Sequence, residues 1–210
     1  MPPEPPQAGE GEAGLVARLR AGDRAAFAAL VQRNAGSLLR VARSLARDPA
    51  AAEELVQETW LAVLTGLDGF EGRSSLRTWL FRILVNKART RFVRDGRAVP
   101  FSALASPGDD AAGPGRFDAD DAWNDPPSRW SEENPERLVL AAETRAAIEA
   151  CIAELPENQR AVITLRDVEG LEAEEICNLL AISVTNQRVL LHRARAKVRQ
   201  ALERRLGGVE

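Results

Sequence analysis

The sequence predicts an all-α protein made of two small helical domains joined by a flexible acidic linker. Three observations carry this. Apolar residues recur at helical spacing over residues 14–97 and again over 135–206. Between them, residues 98–134 lose the period and hold five prolines, with Pro126 and Pro127 adjacent, and eight acids against only Arg116 and Arg129. Helix-start signals sit where the period resumes: Asp23, Asn134-Pro135-Glu136 and Ser183.

Residues 1–13 are rich in Pro, Gly and Glu and are expected to form a disordered tail, since they offer nothing to bury against the cost of ordering. With no basic start and no apolar run, the tail is expected to be neither a signal peptide nor a membrane anchor. The helical pattern starts at Gly14 with Leu15 and Leu19, breaks at Ala21-Gly22-Asp23, and resumes with Phe27, Leu30 and Val31. Leu38, Leu39, Val41 and Leu45 read as a second amphipathic run that stops at Asp48-Pro49. In the next helix, Val56, Trp60, Val63 and Leu67 are expected to form the apolar stripe, while Glu53, Glu54, Gln57, Glu58 and Leu61 face elsewhere. Those acids fit either a solvated face or a docking face for a partner protein.

The stretch Phe70 to Arg94 follows. Read as a helix from Ser75, it aligns Trp79, Arg82, Asn86, Arg89 and Val93 on one stripe and Leu76, Leu80, Ile83 or Leu84, and Ala88 on another. From Arg73 to Arg97 there are eight Lys or Arg residues and one acid, Asp95, a local excess that the formal net charge of −3 conceals. Cations, an amide and an indole on one face are what a protein uses to hold phosphates and stack on unpaired bases.

The linker's residues span about 120 Å if extended and about 35 Å as a flexible coil, enough to join domains bound at separate sites. Trp123 and Trp130 within it fit either anchoring on a domain or packing in a partner's channel. In the second domain Leu138, Ala141, Ala142, Ile148, Ile152 and Leu155 trace a helix. Pro156 begins the next, with Val162, Ile163, Leu165 and Val168 as its core side and Gly170 as its end. A short helix from Glu172 to Leu180, a turn at Ala181-Ile182 and a long helix to Leu206 make a helix-turn-helix arrangement. On that long helix Val184, Leu191, Ala194, Val198 and Leu202 are expected in the core, and Arg188, His192, Arg195 and Arg199 on a cationic face. Thr185, Asn186, Gln187 and Arg188 occupy its first turn, where a recognition helix meets base edges.

The lone histidine, His192, lies in this basic face. With no glycine-rich phosphate loop, no Cys or His metal spacing and no nucleophile-base pairing, an enzyme is not expected, and neither a metal nor a cofactor is. Cys151 and Cys177 stand apart in apolar helical contexts and read as core residues of a reduced protein.

The stretches AAEELVQETWLAVL, FEGRSSLRTWLFRILVNKAR and LPENQRAVITLRDVEGLEAEEICNLLAISVTNQRVLLHRARAKVRQAL resemble, in order and spacing, regions 2 and 4 of the sigma-70 family. The absence of other domains resembles its extracytoplasmic-function group, found in bacteria. The resemblance implies a cytoplasmic protein that binds core RNA polymerase, through its β′ clamp and β flap, directs it to promoter DNA and helps open the duplex. It implies that Glu53, Glu54, Gln57 and Glu58 grip the clamp, and that Phe70, Arg73, Ser74, Ser75, Trp79, Arg82, Asn86 and Arg89 read and melt the −10 element. Thr185, Asn186, Gln187, Arg188, His192 and Arg193 fall where the family meets the −35 duplex. The acidic linker would lie in the polymerase channel that later admits RNA, and an anti-sigma protein is a further implied partner. Thr90 departs from the acid that many relatives carry there. An ordinary helix-turn-helix regulator that does not bind polymerase is the alternative.

Overall fold

The computed structural model describes residues 11–94 and 135–206, and side chains from 11–94 and 144–205. The expected tail through residue 10 and the linker 98–134, with Trp123 and Trp130, lie outside the described residues. The chain divides into two compact units, one within Met1–Ala98 and one within Val99–Glu210. Among the described residues every regular element is helical.

The first unit contains α1 (Glu12–Arg20), α2 (Arg24–Leu45), α3 (Pro49–Gly66), a 3-10 turn (Leu67–Gly69) and α4 (Leu76–Arg94). The α1 helix starts at Glu12, so Glu12 and Ala13 belong to the fold rather than to the tail. A carboxylate in the first turn complements the helix dipole, and here it has a second partner described below. Asp23 caps α2, accepting from the Ala25 and Ala26 amides at 2.9 and 3.1 Å while the Arg18 guanidinium donates to it at 2.8 Å. The Ala26 amide, then the Arg18 side chain, hold its carboxyl below the ordinary 3.8.

The two amphipathic runs expected over residues 24–45 are one continuous helix. Asn34 and Gly36 do not break it, because the buried Asn34 amide donates to the Leu30 carbonyl at 2.9 Å and so finds its partner inside the helix. Asp48 caps α3 through the Ala51 amide, with Pro49 in the first turn. The buried stripe of α3 is Ala52, Leu55, Thr59 and Val63. Val56 and Trp60, expected in the core, flank this stripe half-buried, with Trp60 edge-on to Phe27 at 5.9 Å. The face is rotated because Thr59 can be buried once its hydroxyl donates to the Leu55 carbonyl at 2.7 Å. Leu38, Leu80, Phe81 and Leu84 are almost fully buried. Such burial contributes about 1.5–3 kcal/mol per large side chain, against about 0–1 kcal/mol for an exposed ion pair, so the apolar core holds the three long helices together.

The second unit contains α5 (Pro135–Ala153), α6 (Glu157–Ile163) continuing into a π turn (Thr164–Val168), α7 (Ala173–Leu180) and α8 (Val184–Leu206). The π turn rotates the chain, so Val168 is exposed where a regular period puts it in the core, while Leu165 and Leu171 are buried. Gly170 ends the segment at φ 71°, and the Leu171 amide donates to the Leu165 carbonyl at 3.0 Å. Glu172 and Glu175 form a capping box at the start of α7. Ala181 then takes the left-handed conformation at φ 51°, and the buried Ile182 returns its amide to the Cys177 carbonyl at 3.1 Å.

The core face of α8 is Gln187, Leu190, Leu191, Ala194, Val198 and Ala201. Val184, expected inside, is exposed at the first position of α8, and Leu202 is half-buried. Cys151 and Cys177 are free thiols. Burial, and secondarily Glu174, push the Cys177 thiol up, away from the reactive thiolate.

Candidate nucleic-acid interface

The loop before α4 and the outward side of α4 form the first surface. Ser75 caps α4: its hydroxyl accepts from the Thr78 amide at 3.0 Å and lies 2.8 Å from the Thr78 hydroxyl. With Leu80, Leu84 and Ala88 buried on the inner side of α4, Arg82 and Asn86 are both exposed, with Val93 further along the same stripe. Arg89 is half-buried, and desolvation lowers its pKa; a guanidinium nevertheless stays charged. Trp79 is half-buried against Phe70, ring centroids 5.4 Å apart and edge-to-face. Phe70 itself is 6% exposed, so the expected base-reading role does not fit it; its ring is the prop that orients Trp79. Ser75 is likewise occupied as a cap. Arg73 is exposed and pairs with Glu71 at 2.9 Å, an exchangeable surface pair, and Ser74 is half-buried beside it.

A second surface lies on α3. Glu53 and Gln57 are exposed, and in line with them stand Leu61 and Leu64, 65% and 59% exposed. Leu64, outside the sequence-predicted set, falls seven residues after Gln57 on the same stripe, a spacing that could have marked it. Glu58 is half-buried. Glu54 pairs with Arg91 of α4, so part of its charge serves to join two helices. Two large aliphatic side chains among acids, with no intramolecular need for them, suit a protein partner.

In the second unit, Ser183 caps α8 through the Asn186 amide at 3.1 Å. Thr185 and Arg188 are exposed, and Asn186, His192 and Arg193 are half-buried. Val189, absent from the sequence-based set, is 41% exposed beside Arg188. Gln187 is 1% exposed and is therefore corrected from a base reader to a core residue. Its side-chain oxygen is buried without a hydrogen-bond partner among the described residues. Gln187→Met, which keeps the volume and removes the amide, is expected to raise stability by about 1–2 kcal/mol in chemical denaturation and to leave DNA affinity unchanged. A fall in DNA affinity with stability unaltered would contradict this assignment.

Arg195 is also corrected. Its guanidinium makes a two-pronged pair with Asp167 at 2.8 and 2.9 Å, tying α8 to the π turn, and its side chain is 11% exposed. Arg199 pairs with Glu203 on the next turn of α8 at 3.3 Å. The outward cationic face is therefore shorter than the sequence period implies and is concentrated at the start of the helix, around Arg188. Among the described residues no cluster of His, Cys, Asp or Glu could hold a metal ion, and no helix is long and apolar enough to cross a membrane.

Two helical units, one presenting a capped helix with an exposed arginine in its first turns and the other a cationic, aromatic-backed helix, define a protein of the nucleic-acid-binding class. Residues 30–98 match the family model for sigma-70 region 2, and residues 145–198 that for sigma-70 region 4. The chain is 33% identical over 189 residues to the RNA polymerase sigma-H factor of Pseudomonas aeruginosa, covering 90% of this chain and 92% of that protein. It is 34% identical over 186 residues to the ECF RNA polymerase sigma-E factor of Salmonella typhimurium, covering 88% and 90%. The solved structure of CnrH in complex with the cytosolic domain of CnrY shares 26% identity and a TM-score of 0.55, covering 92% of this chain and 98% of that one. The chain belongs to the sigma-70 family and is of the extracytoplasmic-function type.

Proposed function

We infer that this protein is an RNA polymerase sigma factor that binds core polymerase, directs it to specific promoters and promotes DNA melting, catalysing no reaction itself. The observation that carries the reading is the pair of separate exposed cationic helix faces, around Arg82 and Asn86 and around Arg188, in units matching regions 2 and 4 in order. A regulator that used only its helix-turn-helix would leave the first face without a purpose.

The unit that begins with α1 at Glu12 and runs through α4 is the polymerase-binding and −10 domain, and residues 135–206 are the −35 domain. Residues 98–134 are the tether, which lets each domain reach its own site. Lysines and arginines supply sequence-independent attraction to phosphate, and a few side chains add about 1–3 kcal/mol of discrimination per good base contact. Unstacking costs a few kcal/mol per extruded base, so a surface that binds the unpaired strand favours the open state. Arg73, Ser74, Trp79, Arg82, Asn86 and Arg89 are the residues for that surface, and Thr185, Asn186, Arg188, His192 and Arg193 those for the −35 duplex.

Glu53, Gln57, Glu58, Leu61 and Leu64 form the polymerase-docking face, with Glu54 at its edge. The β′ clamp is the partner assigned to this face, and the β flap the partner for the second unit. An anti-sigma protein covering the exposed leucines would compete with polymerase; the CnrH structure holds the cytosolic domain of a second protein. The place of action is the bacterial cytoplasm, where polymerase and chromosome meet.

The direct test is run-off transcription from genomic fragments with purified core polymerase, which must depend on the added chain. A more local one is the pair Leu61→Ser and Leu64→Ser. Stability should stay within about 0.5 kcal/mol, since both side chains are exposed, while polymerase affinity falls about tenfold or more. Unchanged affinity in the double variant would remove these leucines from the docking face.

A further inference from the structure

The loop between the 3-10 turn and α4 is held at both ends by one helix. At its entry, the Arg20 guanidinium of α1 donates to the Phe70 carbonyl at 2.6 Å and to the Asp68 carbonyl at 3.4 Å. At its exit, the Glu12 carboxylate, also on α1, accepts from the Leu76 amide, the first amide of α4. Glu12 and Arg20 are two turns apart on α1, so a single rigid helix sets the distance between the loop's ends. Between them lie only Glu71 to Ser75, with Gly72 at φ 71°. That left-handed residue gives the segment freedom that held ends restrict.

The bonds are long-range in sequence and polar, and neither residue adds to the apolar core. Val16 and Leu19 already bury the inward face of α1. A groove of about 630 Å³ separates α1 from the loop, and its rim includes Glu12, Asp68 and Glu71 against the single cation Arg20. An acidic rim repels a phosphate strand, so the α1 side of the loop supports it, and the loop's exposed Arg73 and half-buried Ser74, neither of which lines that groove, are left for the DNA.

We propose that α1 is the positioning element for strand capture, with Arg20 and Glu12 fixing the two ends of the Glu71–Ser75 loop in its strand-binding shape without touching DNA. The proposal deepens the sigma-factor reading and rests on it. Pre-setting the loop removes ordering entropy that strand capture would otherwise have to overcome. The defect caused by releasing either end therefore appears in duplex opening and depends on the base that the loop captures.

The experiment uses the full chain with core polymerase and measures opening by permanganate reactivity of unpaired thymines. Templates are an intact promoter and a series with single abasic sites along the non-template −10 strand. Arg20→Met retains the aliphatic stem and Glu12→Ala removes the acceptor; each is expected to lower opening of the intact promoter about tenfold. Arg20→Lys and Glu12→Gln, which keep a donor and an acceptor, are expected to restore most of it. At one abasic position the unsubstituted protein should fall to the level of Arg20→Met, and Arg20→Met should fall no further. Melting temperatures of all four variants should match the unsubstituted chain. Opening that is unaffected by Arg20→Met and Glu12→Ala, or lowered by one constant factor on every template, overturns the proposal. Failure of the unsubstituted chain to open any promoter overturns the sigma-factor reading instead.

Discussion

Arg188→Ala is expected to reduce transcription from a −35-dependent promoter about ten- to a hundredfold without destabilising the protein. Arg188 sits in the first turns of α8 and is exposed, whereas its neighbours Gln187 and Leu191 are buried. Its helix start is fixed by the Ser183 cap, so the side chain projects from a rigid platform. An arginine in this place pairs with two acceptors of a guanine, worth about 1–3 kcal/mol of discrimination, and each 1.4 kcal/mol is a factor of ten. Arg188→Lys separates base reading from simple charge: a lysine keeps the attraction to phosphate and loses the two-pronged geometry. A base contact predicts that one position of the −35 element loses its preference in both variants. A phosphate contact predicts a uniform loss in the alanine variant and a salt dependence shallower by about one ion. Full activity in Arg188→Ala would remove α8 from promoter recognition.

Joint replacement of Arg82 and Asn86 by alanine has the second large effect, on a different step. Both side chains are exposed on α4, so the fold tolerates their loss. One cation and one amide are removed from the surface assigned to the unpaired strand, and opening should fall about ten- to a hundredfold. Binding of the polymerase complex to a short −35 duplex should be unaltered, and so should affinity for core polymerase. Trp79→Ala is a poorer probe. Its indole packs edge-to-face on Phe70, and truncating it disturbs that contact as well as any stacking on a base. If the double variant opens promoters normally, the cationic face of α4 has another use and region 2 must act through the loop alone.

The contrast between legible and illegible residues follows the distance over which their environment is built. The cap at Ser183, the proline opening α3 and the end at Gly170 are readable because each is satisfied within a few residues. The exposed positions Arg82, Asn86 and Arg188 are readable because a helix period places them. Gln187 and Phe70 are not. A polar residue is ordinarily counted outside and an aromatic after a glycine-rich turn is readily counted as accessible, yet both are buried by neighbours from other elements. Val168 departs from the helical period because a π turn adds one residue to it, and nothing in the local composition marks that turn.

The sequence by itself determined that this chain is helical throughout its patterned parts, that it has two units separated by an acidic stretch, and that it carries the two sigma-70 regions. These depend on periodicity, capping and motif order, all written along the chain. Tertiary structure alone decided which cations remain outward and which are tied down. Arg195 on Asp167, Arg91 on Glu54, Arg20 on Phe70 and Glu12 on Leu76 each join residues at least 28 positions apart. A charged side chain reports its residue type in sequence, but the energy that fixes its direction comes from a partner that only folding brings within reach.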